Sequence, residues 1–246
     1  MPYKIIMEYL EDDIDLWKYM DVSKFLSLLS TGELWLARSN TLKDKREGYF
    51  SKEMKDELNV IYEQLKFENK ITSDSQIKNA FDYEEYVKNN SYFTCWHKNA
   101  DENMIMWEIY GESENSVALK TNSSKLKSCF NLDDVMKFSL EIALDDVQYL
   151  DFDSLPSLQC SRQPFFIKRP HFSFEKEVRL YIKSREHHYS EGCPPGYKIS
   201  VDLNVLIEEV YVHPDAEQWF FEAIIDVVKK YKLSAPVTRG VCGNQF

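Results

Sequence analysis

Glycine is scarce in this chain, seven residues in 246, and no GxGxxG, GxxxxGKS or GxxxxGKT pattern occurs. The standard dinucleotide and P-loop solutions for holding phosphates are therefore absent. Cysteine is sparse and unpatterned: Cys95, Cys129, Cys160, Cys193 and Cys242 are odd in number, with no CxxC or Cys/His pair at metal-ligand spacing. Neither a disulfide framework nor a structural zinc site is suggested. No apolar run reaches membrane-spanning length, and no basic stretch followed by an apolar one opens the chain. A soluble protein in a reducing, cytoplasmic setting is the expectation, with no membrane partner. Positive charge is also short, the net being −11, so broad electrostatic binding of nucleic acid or anionic lipid is disfavoured. There is no GxSxG serine setting, and no compact acidic motif of the kind that holds Mg²⁺, which ranks a nuclease last.

What is present is an aromatic load of fifteen Tyr, fifteen Phe and five Trp within a 43% hydrophobic chain. That composition fills a core and leaves rings for a stacking pocket. Charge is unevenly spread. Residues 8–21 carry six acids against Lys18, and 161–185 carry seven Lys or Arg against Glu175 and Glu177. The basic segment either receives a small phosphorylated ligand or pairs internally with the acidic one.

Periodicity gives a coarse map. An extended piece at 15–20 leads into a helix capped by Asp21 or Ser23 and ended by Gly32. Strands are expected at 33–38, 91–97, 117–120, 147–150, 178–182, 197–201, 210–213 and 237–241. Helices are expected at 104–110, 124–129 and 217–231, and residues 51–89 read as a helical insertion in two pieces split near 71–74. Strands outnumber strict βα alternations. The reading is a single α+β domain over 1–246, with a mixed, mostly antiparallel central sheet, flanking helices and the 51–89 insertion.

The stretch from Phe172 to Ile182 separates chemistry from packing. At a strand's period of two, Phe174, Val178, Leu180 and Ile182 share one face, and Glu175, Glu177, Arg179 and Tyr181 the other. Lys168 and Arg169 arrive just before it. This face is either solvated surface or the floor of a polar cleft. Carboxylates two apart on a strand lie about 6.5–7 Å apart on one side. One can then stabilise positive charge at a sugar C1 atom while the other engages a hydroxyl, and nearby cations hold a leaving group's phosphates.

Other candidates keep two readings each. Trp17-Lys18-Tyr19 offers a cation between rings, suited to a phosphate under a stacked base, or else two buried rings and a snorkelling lysine. Arg38 exits a strand toward Asp44, Arg46 and Glu47, either as a functional loop or as a salt-bridged one. Trp96-His97 ends a strand facing the helix with Trp107 and Tyr110; a lone histidine there is more often structural than a general base. His187-His188 lies in a polar loop and lacks further metal ligands.

Several segments, taken in order, resemble a bacterial and phage family catalogued as domain of unknown function 2971. They are Trp17-Lys18-Tyr19-Met20-Asp21, Lys24 to Leu29, Leu34 to Arg38, Cys95-Trp96-His97, Met106 to Gly111, Lys168-Arg169, Phe172 to Arg179, Val201-Asp202-Leu203 and Val210 to Pro214. The chain departs from that family in having Lys18 for arginine, and Lys45-Arg46 where the family has Pro-Phe between the shared Asp44 and Glu47-Gly48. Lysine keeps the charge but loses a bidentate grip. The layout also resembles ADP-ribosyltransferase-like toxins: an early basic residue, an aromatic middle, and a late strand bearing Glu-x-Glu. That resemblance implies NAD as substrate, Glu177 as catalytic carboxylate with Glu175 beside it, and Lys18 and Arg38 on phosphates. Trp96, Trp107 or Tyr110 would stack on a ring, with Tyr19, His97, Lys168, Arg169 and Arg179 completing the ligand site.

The expectation is therefore an ADP-ribosyltransferase-like enzyme or NAD glycohydrolase, serving as an intracellular toxin or phage-defence effector on a protein or nucleic-acid acceptor. The alternative is a non-catalytic module that binds a nucleotide or nucleic-acid end through Lys168, Arg169 and Arg179. On the enzyme reading, Lys18, Arg38, Trp96 and Glu177 should line one pocket, and Glu177→Gln should stop turnover without unfolding the protein.

Overall fold

The computed structural model describes residues 4–6, 10–11, 13–42, 44, 46–151, 157–186 and 193–242, with backbone alone for 4–6. His187, His188 and Lys45 lie outside the described residues. The chain opens with strands β1 (Lys4–Ile6) and β2 (Asp15–Asp21), followed by helix α1 (Val22–Thr31). The ends of α1 are set locally. Asp21 Oδ1 accepts the Lys24 N–H at 3.0 Å, and Gly32, at φ 64°, turns its own N–H back to Leu28 O. Strand β3 (Glu33–Arg38) comes next.

Helices α2 (Lys52–Phe67) and α3 (Ala80–Asn89) are the two pieces expected over 51–89, each opened by a side-chain cap, Ser51 and Asn79. Strand β4 (Ser91–Lys98) leads to a short helix α4 (Met104–Met106), which passes directly into a π-helical turn, Trp107–Gly111. Then come β5 (Ser116–Asn122), α5 (Ser123–Ser128), α6 (Leu132–Phe138), β6 (Ser139–Asp146), β7 (Gln148–Tyr149) and β8 (Ile167–Lys168). The last elements are β9 (Glu177–Ser184), β10 (Gly196–Ser200), α7 (Leu203–Leu206), β11 (Glu209–Val212), α8 (Gln218–Lys230) and β12 (Val237–Arg239).

The main sheet runs β1-β6-β9-β4-β2-β5-β11-β12, with β3 and β10 branching from β4. Pairing is antiparallel except for β1/β6 and β11/β12, and β7/β8 form a separate parallel pair. The protein is α+β, with a mixed, mostly antiparallel sheet and flanking helices, as the sequence indicates. The sheet splits at β4. One edge of β4 pairs with β9 along its length; the other is shared, β3 taking Tyr92 and Phe93 and β2 taking His97 and Lys98.

Strict alternation along β9 divides the two faces. Val178, Leu180 and Ile182 enter a large core with Phe25, Leu28 and Leu29 of α1 and Phe220, Ile224 and Val228 of α8. Tyr181 enters a second core on the opposite face with Phe50, Met54, Phe93 and Phe165. A third, smaller group packs Trp17, Tyr19, Met106, Trp107 and Ala118.

Several elements depart from the sequence map. Helix α6 and strand β6 were not expected. β6 reads Ser-Leu-Glu-Ile-Ala-Leu-Asp-Asp, and its middle, from Glu141 to Leu144, is buried, so a continuous run replaces the usual alternation. The strand expected at 147–150 shrinks to the two residues of β7. Most consequential, the strand carrying Glu-x-Glu starts only at Glu177. Pro170–Glu175 is a 3₁₀ segment, and Lys176, at φ 39°, breaks the extended course between the two glutamates. Glu175 and Glu177 are not neighbours on one strand face.

Candidate active site

Despite that break, both carboxylates turn inward to the same cation. Lys168 Nζ on β8 bonds Glu175 Oε2, lies 3.2 Å from Glu177 Oε2, and is 3.7 Å from Glu47 Oε1. The αL turn at Lys176 is what reverses Glu175 onto it. Strand β8 is fixed in turn by β7, whose Tyr149 hydroxyl accepts the Glu177 N–H at 2.8 Å.

Arg179 is completely buried, and a guanidinium out of water needs every N–H paired. It has them all. Nε donates to Glu177 Oε1 (2.8 Å) and Nη2 to Glu177 Oε2 (3.0 Å). Nη1 and Nη2 donate to the two oxygens of Glu47 at 2.8 and 2.9 Å, and Nη1 also to Phe165 O at 2.6 Å. The guanidinium lies 4.3 Å over Phe93. No N–H of Arg179 is left for a phosphate. Glu47 reaches the cluster across 132 residues of sequence, from a turn that Gly48 makes at φ 70° against Phe165.

The two glutamates differ in electrostatic setting. Burial pushes Glu177 up, but the Arg179 guanidinium and the Lys168 ammonium outweigh it and hold the carboxyl at about 2. Burial raises Glu175, and the Glu177 charge adds to it, more than Lys168 and the Tyr110 hydroxyl can offset. One is a fixed anion; the other takes a proton more readily than an ordinary glutamate. Tyr110 donates its hydroxyl to Glu175 Oε1 at 2.8 Å from the π-helical turn, and the residue is 38% exposed while Glu175 and Glu177 are each 5% exposed. Glu175 therefore sits directly beneath the outer wall and Glu177 behind it.

His97 lies under the cluster, opposite Glu177 in register. Its Nδ1 is 2.6 Å from Glu175 O, which makes Nδ1 the protonated nitrogen and leaves Nε2 an acceptor. That Nε2 is buried without a partner among the described residues, and burial lowers the ring's pKa. The Cys95 thiol is raised, first by burial and then by the Glu177 charge.

The remaining candidates separate. Lys18 occupies the split in the sheet: Nζ donates to Thr94 Oγ1 (2.7 Å) and Cys95 O (3.0 Å), between the two strands that share β4's edge. Burial lowers its pKa. Trp96, opposite Val178 in register, is buried in the large core on the far side from Glu177, and of the other candidates it meets Lys18, whose ammonium lies 5.3 Å from its ring. Trp107 is likewise buried, its indole N–H on Glu102 Oε2. The Tyr19 hydroxyl accepts the Asn103 N–H, and its ring meets Trp107 edge-on at 5.0 Å. Arg38 lies opposite Tyr92, five residues along β4 from His97, roughly 17 Å by strand rise, and donates to Cys193 O. The pocket expected from Lys18, Arg38, Trp96 and Glu177 is therefore not assembled. Arg169 stays near the rim, 3.6 Å from Asp44 and over Phe172 at 5.4 Å.

Four cations of the basic segment pair internally. Arg162 bonds Glu141, Arg169 pairs with Asp44, and Lys168 and Arg179 take Glu47, Glu175 and Glu177. In the sequence Glu47 stands in a salt-bridged or functional loop after Arg38 and in the Asp44-x-x-Glu47-Gly48 string, and neither names Arg179 as its partner. A cavity of about 290 Å³ lies just past the His97 end of β4, lined by Asp13, Ile14, Asp15, Lys98, Asn99 and Ala100 and not by Glu47, Glu175 or Glu177. Among the described residues, no three His, Cys, Asp or Glu side chains are grouped to hold a metal, and no helix is long and apolar enough to cross a membrane.

No family model matches the chain, and no curated protein does. Among solved structures it is similar to DarT from Thermus sp. 2.9. In complex with ADP-ribosylated ssDNA that protein gives 11% identity and a TM-score of 0.40, over 93% of this chain and 94% of the other. In complex with carba-NAD⁺ it gives 11% identity and 0.38, over 94% and 97%, and with NAD⁺ 11% and 0.37, over 92% and 95%. Likeness at this level fixes neither a shared site nor a shared reaction.

Proposed function

We propose that the chain is an ADP-ribosyltransferase-like enzyme that cleaves the nicotinamide–ribose bond of NAD and passes the ADP-ribosyl group to a protein or nucleic-acid acceptor, or to water. One observation carries this reading: two inward carboxylates share one lysine, and their surroundings push their pKa values apart. Breaking the bond from C1 to the pyridinium nitrogen leaves neutral nicotinamide and develops positive charge at C1. Glu177, held ionised, supplies the standing negative charge that favours such a state. Glu175, nearer the outside and with the higher proton affinity, is the group that meets the ribose or takes the proton of the attacking nucleophile. This reverses the emphasis of the sequence reading, in which Glu177 was the reacting group. The rim cation Arg169 and the half-buried Phe172 and Phe174 suit the phosphate and ring parts of the ligand. A toxin or defence role follows from NAD depletion or target modification.

The test is nicotinamide release from NAD by purified protein, alone and with cell extract, in wild type and Glu175→Gln. Turnover that survives the substitution at wild-type rate would remove Glu175 from the chemistry. No release and no NAD binding by wild type would remove the enzyme.

A second reading is favoured by one feature: the Arg179 and Glu177 pairing is complete without any ligand, as a structural polar lock would be. The protein would then bind a nucleotide or nucleic-acid end at the rim without transforming it. Arg169→Glu would release that ligand, and binding would weaken with salt.

A further inference from the structure

Resting on the enzyme reading above, we infer that Tyr110 is a positioning residue, whose hydroxyl holds the Glu175 carboxyl against Lys168 in the orientation the reaction uses. The sequence suggested a stacking ring; the geometry commits the other end of the side chain. The hydroxyl donates to Glu175 Oε1 at 2.8 Å while Lys168 takes Oε2, so the carboxyl is gripped at both oxygens and cannot rotate freely.

The backbone under Tyr110 is built for that placement. Trp107–Gly111 is π-helical, a geometry that admits an extra residue per turn and concentrates at functional sites. Trp107 anchors the turn from below through Glu102, Tyr19 and His213. Gly111 closes it where a Cβ would come within 2.6 Å of Ser116 Oγ, and Glu112, at φ 65°, ends it. The anchored side is buried, and Tyr110 is on the exposed side.

A hydrogen bond donated to a carboxylate favours its ionised form, so the hydroxyl works with Lys168 against the burial that raises Glu175. The other titratable or charged groups facing Glu175 are Glu177 and Arg179 on β9, Glu47 across Lys168, His97 of β4 on its carbonyl, Tyr149 of β7 at the Glu177 N–H, and its neighbour Lys176. Tyr110→Phe removes the hydroxyl and keeps the ring, leaving all of these in place.

Two measurements test this. One is the pH titration of the Glu175 carboxyl by ¹³C NMR on glutamate-labelled protein, assigned by its loss in Glu175→Gln. The other is the pH profile of nicotinamide release. In Tyr110→Phe the Glu175 titration is expected to move up by about one pH unit. The acidic limb of kcat should move with it, and kcat should fall by roughly tenfold with KM changed less than threefold. An unmoved titration overturns the proposal, as does a raised KM with an unaltered pH profile, the mark of a ring that only contacts ligand. The NMR arm needs no turnover. A shifted titration in an enzyme that consumes no NAD supports the positioning contact and sinks the reaction instead.

Discussion

Glu177→Gln is the substitution whose consequences the structure changes most. As a surface carboxylate it would have been silent for folding. In place, its two oxygens accept from Arg179 Nε at 2.8 Å, Arg179 Nη2 at 3.0 Å and Lys168 Nζ at 3.2 Å, all out of water. The amide removes the charge and turns an NH₂ toward those donors. Two estimates of the cost agree. Holding the carboxyl at about 2 rather than 4.5 corresponds to about 3 kcal/mol at neutral pH. Removing one partner of a buried ion pair generally costs about 3–5 kcal/mol. For a chain of this length, about 3 kcal/mol lowers Tm by roughly 6–12 °C.

The pH dependence is a sharper check. A carboxyl with a depressed folded pKa contributes stability above 4.5 and loses it as pH falls toward 2. Glu175, raised, has the opposite sign: its cost is present above its folded pKa and is relieved as pH falls toward 4.5. Thermal unfolding followed by circular dichroism should therefore show wild type and Glu177→Gln far apart at pH 7 and converging by pH 2.5. A Tm equal to wild type at pH 7, or a gap that persists undiminished at pH 2.5, refutes the account of Glu177 as a fixed anion.

Glu175→Gln should lower Tm at pH 7 by less than Glu177→Gln, because burial raises the Glu175 carboxyl whereas Arg179 and Lys168 lower that of Glu177, while nicotinamide release falls by roughly 10²-fold or more. Gly48→Ala should cost about 3 kcal/mol, read as a lower urea midpoint at unchanged m. Position 48 sits at φ 70°, and the new Cβ would meet Phe165 Cε1 at 2.1 Å. Asp21→Ala should cost about 1 kcal/mol by removing the α1 cap, with no effect on nicotinamide release.

Local signals in the sequence hold where the physics is local. Asp21 and Gly32 bound α1 because a cap and an αL residue act within a few positions. The alternation from Glu177 to Ile182 held because a pleated strand imposes it. Helix α6 and strand β6 were missed because β6 is covered on both faces and its run carries no alternation. The 3₁₀ segment before Glu177 carries a strand's pattern, because Phe172-Ser173-Phe174-Glu175 alternates apolar and polar residues just as a strand does. Lys18 keeps two readings in the sequence because a lysine between two rings looks the same whether it faces a ligand or a gap in a sheet.

The sequence by itself determined the α+β class, the lack of a glycine-rich phosphate loop, and which face of β9 carries charge. Only the tertiary structure decided what that charge does. It brought Glu47 across the chain to complete Arg179, turned Glu175 through Lys176 onto Lys168, and sent Arg38 and Trp96 elsewhere. The reason is range. Caps and periodicity are fixed by neighbours in sequence, whereas a buried charge must find its partner among whatever the sheet register sets beside it.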